Sequence, residues 1–444
     1  MTHPTITQIA PAVHCVAVQT GQFKTARMVL QMALPLRRRV AADNSRAEAL
    51  LETNEQHANN SNENYTAQTA ANAMLPFLLH RCSAAYPTPR KLEQKLADLY
   101  GAALSANVNK QGEAQILSIG LTAMDDRFAL QGEKIAEECA ALLLDLLFNP
   151  LINNTTVELE KRLLIERLES EEGDKWKYAA QRAEALMCSE EAYGLNPLGE
   201  KKAVAALTVD DVQAAWQAML VTAPMQMTMV SNAACEPVCQ ALRARFATQL
   251  REPVMPATQF IATPGELRNF REEQQIEQAK LMIGLRAGVN SADENDFPLR
   301  VAVDLFGGGI HSKLFLTVRE KLSLCYHVSA QLHRHKGAVF VRAGIDTEKF
   351  DEARVAILDM LAQVQAGDFS AEDLATSQRS ICDSYTTYAD LPETLAAWYA
   401  MGLLTGEHVT PQQACANINA VTREQVIAAA QGIALDSVYL LASA

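Results

Sequence analysis

The chain repeats one succession of elements, and this duplication limits it to folds that consist of two similar halves. Near the middle, LTVDDVQAAWQAMLVTAPMQMTMVSNA places Thr208 before acidic residues, apolar positions at helical spacing and an apolar strand. The end of the chain, VTREQVIAAAQGIALDSVYLLASA, repeats this pattern after Thr422. A threonine in this position is typical of a helix N-cap. The two threonines lie 214 residues apart in a chain of 444, so the pattern predicts an internal repeat.

A second pair of segments shows a similar shift. LYGAALSANVNKQGEAQILSIGLT resembles LCYHVSAQLHRHKGAVFVRAGID, with Gly112 in the position of Gly337. In both, alternating residues lead into a polar turn that contains a glycine, and a second alternating run follows. The two segments are therefore predicted to be long β-hairpins.

Helical patterns fill the space between these strands. Strands grouped in antiparallel hairpins, with helices on mainly one face, predict a duplicated α+β fold. The segment REPVMPATQFIATPG contains three of the 16 prolines and separates the halves. We therefore predict a first domain at 1–250, a linker at 251–266 and a second domain at 267–444, in line with a length that exceeds one usual core.

Composition narrows the function further. Lysine and arginine total 39 against 52 acidic residues, and the resulting charge of −13 would repel a phosphate backbone, so a nucleic-acid partner is disfavoured. The N-terminus lacks a signal-peptide pattern and no run is long enough to cross a bilayer, so we expect a cytoplasmic protein without a membrane partner. Nine scattered cysteines without a C-x-x-C pair predict buried thiols, with neither disulfides nor structural zinc.

One stretch identifies a family resemblance. FGGGIHSKLFLTVREKLSLCY, residues 306–326, together with the repeat, resembles the M16 peptidases, the group of pitrilysin, insulinase and the mitochondrial processing peptidase. The similarity covers essentially the whole chain, and the chain looks most like the short bacterial two-domain members. The resemblance implies that each chain forms half of a clamshell. Active members carry H-x-x-E-H on a helix of the first half, where two histidines bind zinc and the glutamate polarises a bound water.

The matching segment here, PFLLH, has lost most of that motif. It places Pro76 at the first histidine, Leu79 at the glutamate and His80 at the second histidine. Proline has no ligand atom and leucine cannot accept a proton, so we predict that this chain binds no catalytic zinc. His80 is expected to be a partly buried histidine with a local hydrogen bond. For the family's third ligand, a glutamate further along, Glu160 and Glu166 are candidates, although a solvated acidic face is the favoured interpretation.

Two other features could suggest a cofactor. His333 and His335 would share one face of a strand, but no convincing third and fourth metal ligand lies near, and a basic surface hairpin with Arg334 and Lys336 is favoured. The glycines at 307–309 lack the G-K-[ST] of a phosphate-binding loop and indicate a flexible turn instead. We therefore expect no cofactor on this chain.

The second-half motif is complete. In the family, an arginine and a tyrosine seven residues apart reach the zinc site of the opposite half, and here they match Arg319 and Tyr326. An arginine can donate to peptide carbonyl oxygens, and a tyrosine hydroxyl can donate to an oxyanion. The alternative is structural: Arg319 pairs with Glu320 or Asp304, and Tyr326 is an ordinary strand aromatic.

The resemblance implies a subunit rather than a complete enzyme. We expect a chain that is inactive alone and that pairs with a zinc-bearing M16 homologue, to which it supplies Arg319 and Tyr326 in trans for hydrolysis of an unfolded peptide. Zinc is then expected in the partner. A homodimer is also conceivable. The alternative function is a non-peptidase scaffold or a peptide-binding subunit.

Overall fold

A computed structural model describes residues 3–36 and 55–444, and the side chains of 3–36 and 66–444. The chain forms two compact units. The first comprises Met1–Leu168, Leu195–Ala257 and Thr387–Thr410, and the second comprises Glu169–Gly194, Thr258–Thr386 and Pro411–Ala444. The units therefore cross the predicted boundary at 251–266, because each takes one segment from the other half of the sequence.

The strands and helices alternate along the chain in two similar series. The strands are β1 (Thr5–Ala10), β2 (Val13–Gln19), β3 (Thr25–Pro35), β4 (Ala103–Gln111), β5 (Ala114–Met124), β6 (Met225–Ser231), β7 (Arg268–Gln274), β8 (Ala279–Arg286), β9 (His327–His333), β10 (Ala338–Ile345) and β11 (Ala434–Ser443). The helices are α1 (Glu55–Leu79), α2 (Pro89–Asp98), α3 (Ile135–Phe148), α4 (Asn154–Gly173), α5 (Lys175–Met187), α6 (Lys201–Ala206), α7 (Val209–Thr222), α8 (Glu236–Phe246), α9 (Asp296–Gly307), α10 (Phe350–Ala366), α11 (Ala371–Thr387), α12 (Pro392–Ala400), α13 (Pro411–Asn419) and α14 (Arg423–Gln431).

The two sheets have the same topology. Their strand orders are β1-β2-β6-β3-β5-β4 and β7-β11-β8-β10-β9. In each sheet the strand at the end of the repeat pairs in parallel with the first strand, β6 with β2 and β11 with β7, and the other pairs are antiparallel. Apart from the additional β1, the second sheet repeats the first strand for strand. The predicted duplicated α+β fold is confirmed.

The same helix caps and glycine turns occur at equivalent positions in the two halves. Thr208 and Thr422 each cap a helix, α7 and α14, and each forms a capping box with the residue three positions later. The predicted hairpins are β4–β5 and β9–β10. Gly112 and Gly337 turn them with φ of 57° and 65°, which glycine adopts at little cost.

The first unit buries both faces of its sheet. Its main core lies on one face, where helices including α1, α3, α7 and α8 contribute apolar side chains. On the other face, Val16, Val18 and Val230 pack against Leu395 and Tyr399 of α12. Strand β6 is accordingly buried along its whole length, as is typical of a strand that is covered on both sides. The α12 helix comes from the second half of the sequence.

The second unit has the reciprocal arrangement. Helices α9, α10 and α14 cover one face of its sheet. Helix α5, from the first half of the sequence, covers the other face, where Ala179 and Ala183 pack against Met282, Tyr439 and Leu441. Each sheet therefore has most of its helices on one face and one helix from the other sequence half on the opposite face.

A buried ionic cluster fixes the segment that follows α5 to the second sheet. Arg286 on β8 donates to both carboxylate oxygens of Glu191, at 2.6 and 3.1 Å, and its Nε lies 2.8 Å from Asp436 on β11. The Arg286 and Glu191 side chains are each 2% exposed. Lys336 also pairs with Glu191, and Arg268 pairs with Asp436 at 2.5 Å. Five charged side chains from separate parts of the sequence thus meet in one unit, and all but Arg268 are buried.

Among the described residues, none of the helices combines the length and the apolar character that crossing a membrane requires.

Candidate functional site

The positions that match the zinc motif lie at the end of α1 in the first unit. Pro76 is buried within the last turn, and the His80 amide donates to its carbonyl at 3.0 Å. Leu79 is 0% exposed and belongs to the main core. These two side chains fill the interior, and neither offers an atom that could bind a metal.

His80 has a local role. Burial lowers its pKa, and a hydrogen bond between the ring and the backbone of Leu104 opposes that shift. Leu104 lies on β4, the edge strand of the first sheet. His80 thus fastens the end of α1 to this strand, which fits the expected partly buried histidine with a local hydrogen bond.

An ion pair occupies the neighbourhood of the lost motif. Glu160 on α4 is 4% exposed and pairs with Arg81, the residue after His80. Burial raises the pKa of Glu160, and the adjacent guanidinium opposes that shift. Glu166 is instead 60% exposed and lies 3.8 Å from Arg162. The expectation of a solvated acidic face therefore fits Glu166 and was wrong for Glu160, because Arg81 compensates the buried carboxylate.

The donor set around His80 does not fit zinc. One imidazole is available, the buried carboxylate is engaged by a guanidinium, and the other motif positions are apolar. Within 3–36 and 66–444, no group of three or more histidine, cysteine, aspartate or glutamate side chains is arranged to hold a metal ion. The cation beside Glu160 is therefore the guanidinium of Arg81 and not a metal ion.

The second-half motif begins on an unusual helix. Residues Leu314–Lys321 form a π-helix, in which Leu314 and Val318 are 0% exposed and anchor the segment to the core of the second unit. π-Helical turns are rare and are often found at functional sites.

Arg319 projects from this helix into solvent. Its side chain is 40% exposed, and its Nε lies 3.5 Å from Glu320, which is 56% exposed. A pair this open contributes little, about 0–1 kcal/mol. Its guanidinium carbon lies 4.6 Å from the centroid of the Phe315 ring, within the range of a cation–π contact. The Phe315 ring supports the guanidinium, and the contact leaves its N–H donors available at the surface.

A tight turn leads from Arg319 to Tyr326. Ser323 has a φ of 51°, and the amides of Leu322 and Leu324 donate to Thr317 and Val318 at 2.9 and 3.0 Å. A left-handed conformation costs a non-glycine residue roughly 1–2 kcal/mol, so the surrounding bonds hold it in place. The Tyr326 amide then donates to the Gly344 carbonyl at 2.9 Å, next to β9. The Tyr326 side chain is 66% exposed.

Asp304 is not the partner of Arg319. Its carboxylate accepts a hydrogen bond from His311 Nε2 at 2.7 Å; burial raises the pKa of Asp304, and the bond from His311 opposes that shift. Gly308 packs directly against this carboxyl group, because a Cβ at position 308 would lie 2.3 Å from an Asp304 oxygen. The absence of a side chain at Gly307 and Gly308 thus permits close packing at the end of α9.

His333 and His335 have separate environments. His333 ends β9 and its ring bonds the Tyr193 hydroxyl, whereas His335 lies in the turn and its Nδ1 is 2.9 Å from Ser291 Oγ. The expected basic surface patch was wrong, because Lys336 is 0% exposed and pairs with Glu191. The acidic partner comes from a distant part of the sequence.

Two residues of these sites were not predicted. Phe315 precedes Arg319 by four positions, a spacing that brings side chains together on a helix and could have indicated the contact. Arg81 adjoins His80, but its partner Glu160 lies 79 positions away and only the fold brings the pair together.

Two comparisons of the sequence with known proteins find related proteins. Residues 206–381 match a family described as the peptidase M16 inactive domain, and this range contains Arg319 and Tyr326. The probable inactive metalloprotease YmfF of Bacillus subtilis is 27% identical over 429 residues, 96% of this chain and 94% of that protein.

Solved structures share the fold over the whole length. The crystal structure of a conserved protein from Enterococcus faecalis aligns with a TM-score of 0.85 at 22% identity, covering 100% of this chain and 99% of that one. A peptidase M16 inactive domain from Pseudomonas fluorescens aligns with a TM-score of 0.76 at 14% identity, covering 100% and 98%. The chain is thus M16-like: residues 206–381 match the peptidase M16 inactive domain, and the whole chain is similar to a probable inactive metalloprotease and shares its fold with an M16 inactive domain, while its first motif is degenerate.

Proposed function

We propose that this chain is the non-zinc subunit of a two-chain peptidase, and that it supplies Arg319 and Tyr326 to a peptide bound by a zinc-bearing M16 homologue. The observation that carries the proposal is the contrast between the two motifs. The first is filled by apolar side chains and an ion pair, whereas the second presents an arginine and a tyrosine that are 40% and 66% exposed.

The chemistry of the two side chains fits this role. An extended peptide presents backbone carbonyl oxygens, to which the guanidinium of Arg319 can donate with several N–H groups in fixed directions. The hydroxyl of Tyr326 can donate to the oxyanion that forms when water attacks the peptide carbon. Neither contribution requires this chain to hold the metal.

The rigidity of the segment also supports the proposal. Phe315 lies against the guanidinium of Arg319, and the strained turn at Ser323 directs Tyr326 away from the helix. Strain of this kind persists only where the surrounding structure enforces it, and it is frequent at functional sites.

The test is peptide cleavage by a mixture of this chain and a zinc-bearing homologue. Arg319→Ala and Tyr326→Phe are each expected to reduce kcat/KM about a hundredfold, a loss of about 2.7 kcal/mol of transition-state stabilisation. Arg354→Ala is the matched control, because Arg354 also lies over a phenylalanine in the same unit, 5.8 Å from the Phe350 centroid. It should leave the rate unchanged.

Two outcomes would contradict the proposal. If the mixture is active and both substitutions are silent, the chain is a scaffold or a peptide-binding subunit, and the exposed arginine and tyrosine are relics. If the purified chain alone cleaves peptides, and chelators and His80→Ala abolish that activity, the chain is a complete enzyme.

A further inference from the structure

Two thiols face each other in the second unit. Cys382 lies on α11 and Cys415 on α13, and the Sγ of each lies 3.6 Å from the backbone carbonyl oxygen of the other. The two thiols are also hydrogen-bonded to one another. Each is partly exposed to solvent. Proximity and access to solvent are the two conditions that a reversible disulfide requires.

The helices that carry these thiols are held together independently of them. Gln378, one turn before Cys382, donates to the carbonyl oxygens of Ile418 and Val421 at 3.0 Å each. Ile381 and Ile418 are buried in the core of the unit. The meeting of the two sulfur atoms is therefore a fixed feature of the packing between α11 and α13.

The other thiol cluster lacks this combination. Cys15 and Cys239 are hydrogen-bonded in the first unit, but they are only 1% and 0% exposed. Cys235 is partly exposed and lies one helical turn before Cys239. An oxidant in solvent can reach Cys235 but not the buried pair behind it.

We propose that Cys382 and Cys415 form a redox site that closes to a disulfide on reaction with a hydroperoxide. The Cys415 sulfur attacks the peroxide, the O–O bond breaks, and a sulfenic acid and an alcohol or water result. The Cys382 sulfur then displaces the sulfenic hydroxyl, which leaves as water with the Cys382 proton. Two thiols are oxidised by two electrons, and one peroxide bond is reduced.

The environment of Cys382 supports this order of steps. Burial, together with the hydrogen bond that the Cys382 thiol donates to Cys415, raises the pKa of Cys382 to about 12. A thiol that remains protonated at neutral pH is a poor first nucleophile, since the thiolate is the reactive form. Cys382 is therefore assigned the second step, in which it attacks a neighbouring sulfur that is already activated.

The position of the pair gives the disulfide a structural consequence. The bond would close a loop over residues 383–414, and this loop contains Thr387–Thr410, the segment that belongs to the first unit. Cys382 precedes that segment and Cys415 follows it. Oxidation would thus tie together the two points at which the chain leaves and re-enters the second unit.

The test uses the full-length reduced chain and hydrogen peroxide. After brief exposure, alkylation of the remaining thiols and proteolysis, mass spectrometry should detect a linked Cys382–Cys415 peptide, lighter by two hydrogen atoms than its separate parts. Dithiothreitol should reverse the link. Cys382→Ser and Cys415→Ser should each abolish it, and Cys235→Ser, the matched control at another partly exposed thiol, should leave its yield unchanged.

The oxidation products of the wild-type chain alone can refute the proposal, so the test does not depend on the folding of the serine variants. The proposal is wrong if Cys235 is fully oxidised while Cys382 and Cys415 are still alkylated. It is equally wrong if the two are converted to separate sulfinic acids, or if their link forms only after denaturation.

Discussion

Replacing Arg286 by methionine should destabilise the second unit strongly. The substitution removes three hydrogen bonds to two buried carboxylates, Glu191 and Asp436. Leaving a buried ion without its partner typically costs about 3–5 kcal/mol. Here Glu191 keeps Lys336 and Asp436 keeps Arg268, so we expect the lower end, about 3 kcal/mol.

The assay has to isolate the second unit, because a chain with two units need not unfold in one transition. Of the three tryptophans, Trp176 alone lies in the second unit, on α5. In a background in which the other two are phenylalanine, urea unfolding followed by fluorescence reports on Trp176. Arg271→Met is the control, because Arg271 pairs with Glu273 on the surface, where both are more than half exposed, and should cost at most about 1 kcal/mol.

The pH dependence provides an independent check. Burial alone would raise the pKa of Glu191, but hydrogen bonds from Arg286 and Lys336 outweigh it and hold the pKa below its usual value. A depressed carboxyl pKa stabilises the fold above the unfolded value, about 4.3, and this contribution is lost as pH falls through the folded value. The variant should lose less on acidification, so the difference in unfolding free energy between wild type and Arg286→Met should shrink from pH 7 to pH 4. The reasoning is refuted if Arg286→Met and Arg271→Met have equal stability at pH 7.

Three further predictions concern a turn, a histidine and the motif. Gly337→Ala should lower the thermal unfolding midpoint more than Gly101→Ala. Both glycines have positive φ, but only a Cβ at 337 would meet backbone and ring atoms, at 2.6 and 2.5 Å. Equal shifts would show that φ alone determines the loss of stability. Burial lowers the pKa of His335 to about 4, so the fold should lose stability as pH falls from about 6.5 towards 4, and His335→Gln should flatten that slope in urea titrations at several pH values; an unchanged slope would mean that another group titrates. In the mixed peptidase assay, Phe315→Leu should reduce kcat/KM through the loss of support for Arg319, and Phe315→Tyr should restore it; an effect of equal size in an Arg319→Ala background would indicate a merely structural role.

Periodic signals predict most of this fold. The caps at Thr208 and Thr422 and the glycine turns of the two hairpins depend on local chemistry, and the structure reproduces them in both halves. Local patterns could not predict which sheet α5 and α12 cover. The pattern of each helix shows only that it has an apolar face. Its position in the sequence suggests the sheet of its own half, whereas α5 covers the second sheet and α12 covers the first.

The features of the candidate sites also separate into those that residue type predicts and those that depend on the fold. The loss of ligand atoms at Pro76 and Leu79 follows from residue type alone, and no tertiary contact can restore it. The ion pair of Arg81 with Glu160 and the burial of Lys336 depend on residues far apart in sequence. Charged positions were predicted to be solvated because an isolated charge is costly to bury, and that expectation fails where the fold supplies the opposite charge.

The reciprocal placement of α5 and α12 sets the timing of folding during synthesis. The last strand of the first sheet ends at Ser231, but the helix that covers its outer valines ends only at Ala400. At ribosomal elongation rates this interval lasts on the order of ten seconds or more, during which Val16, Val18 and Val230 lack their cover. Helix α5, in contrast, emerges before any strand of the sheet that it covers. During synthesis, the first sheet is therefore complete before α12 can cover it, and α5 is complete before the sheet that it covers. Both expose apolar surface that a chaperone could bind.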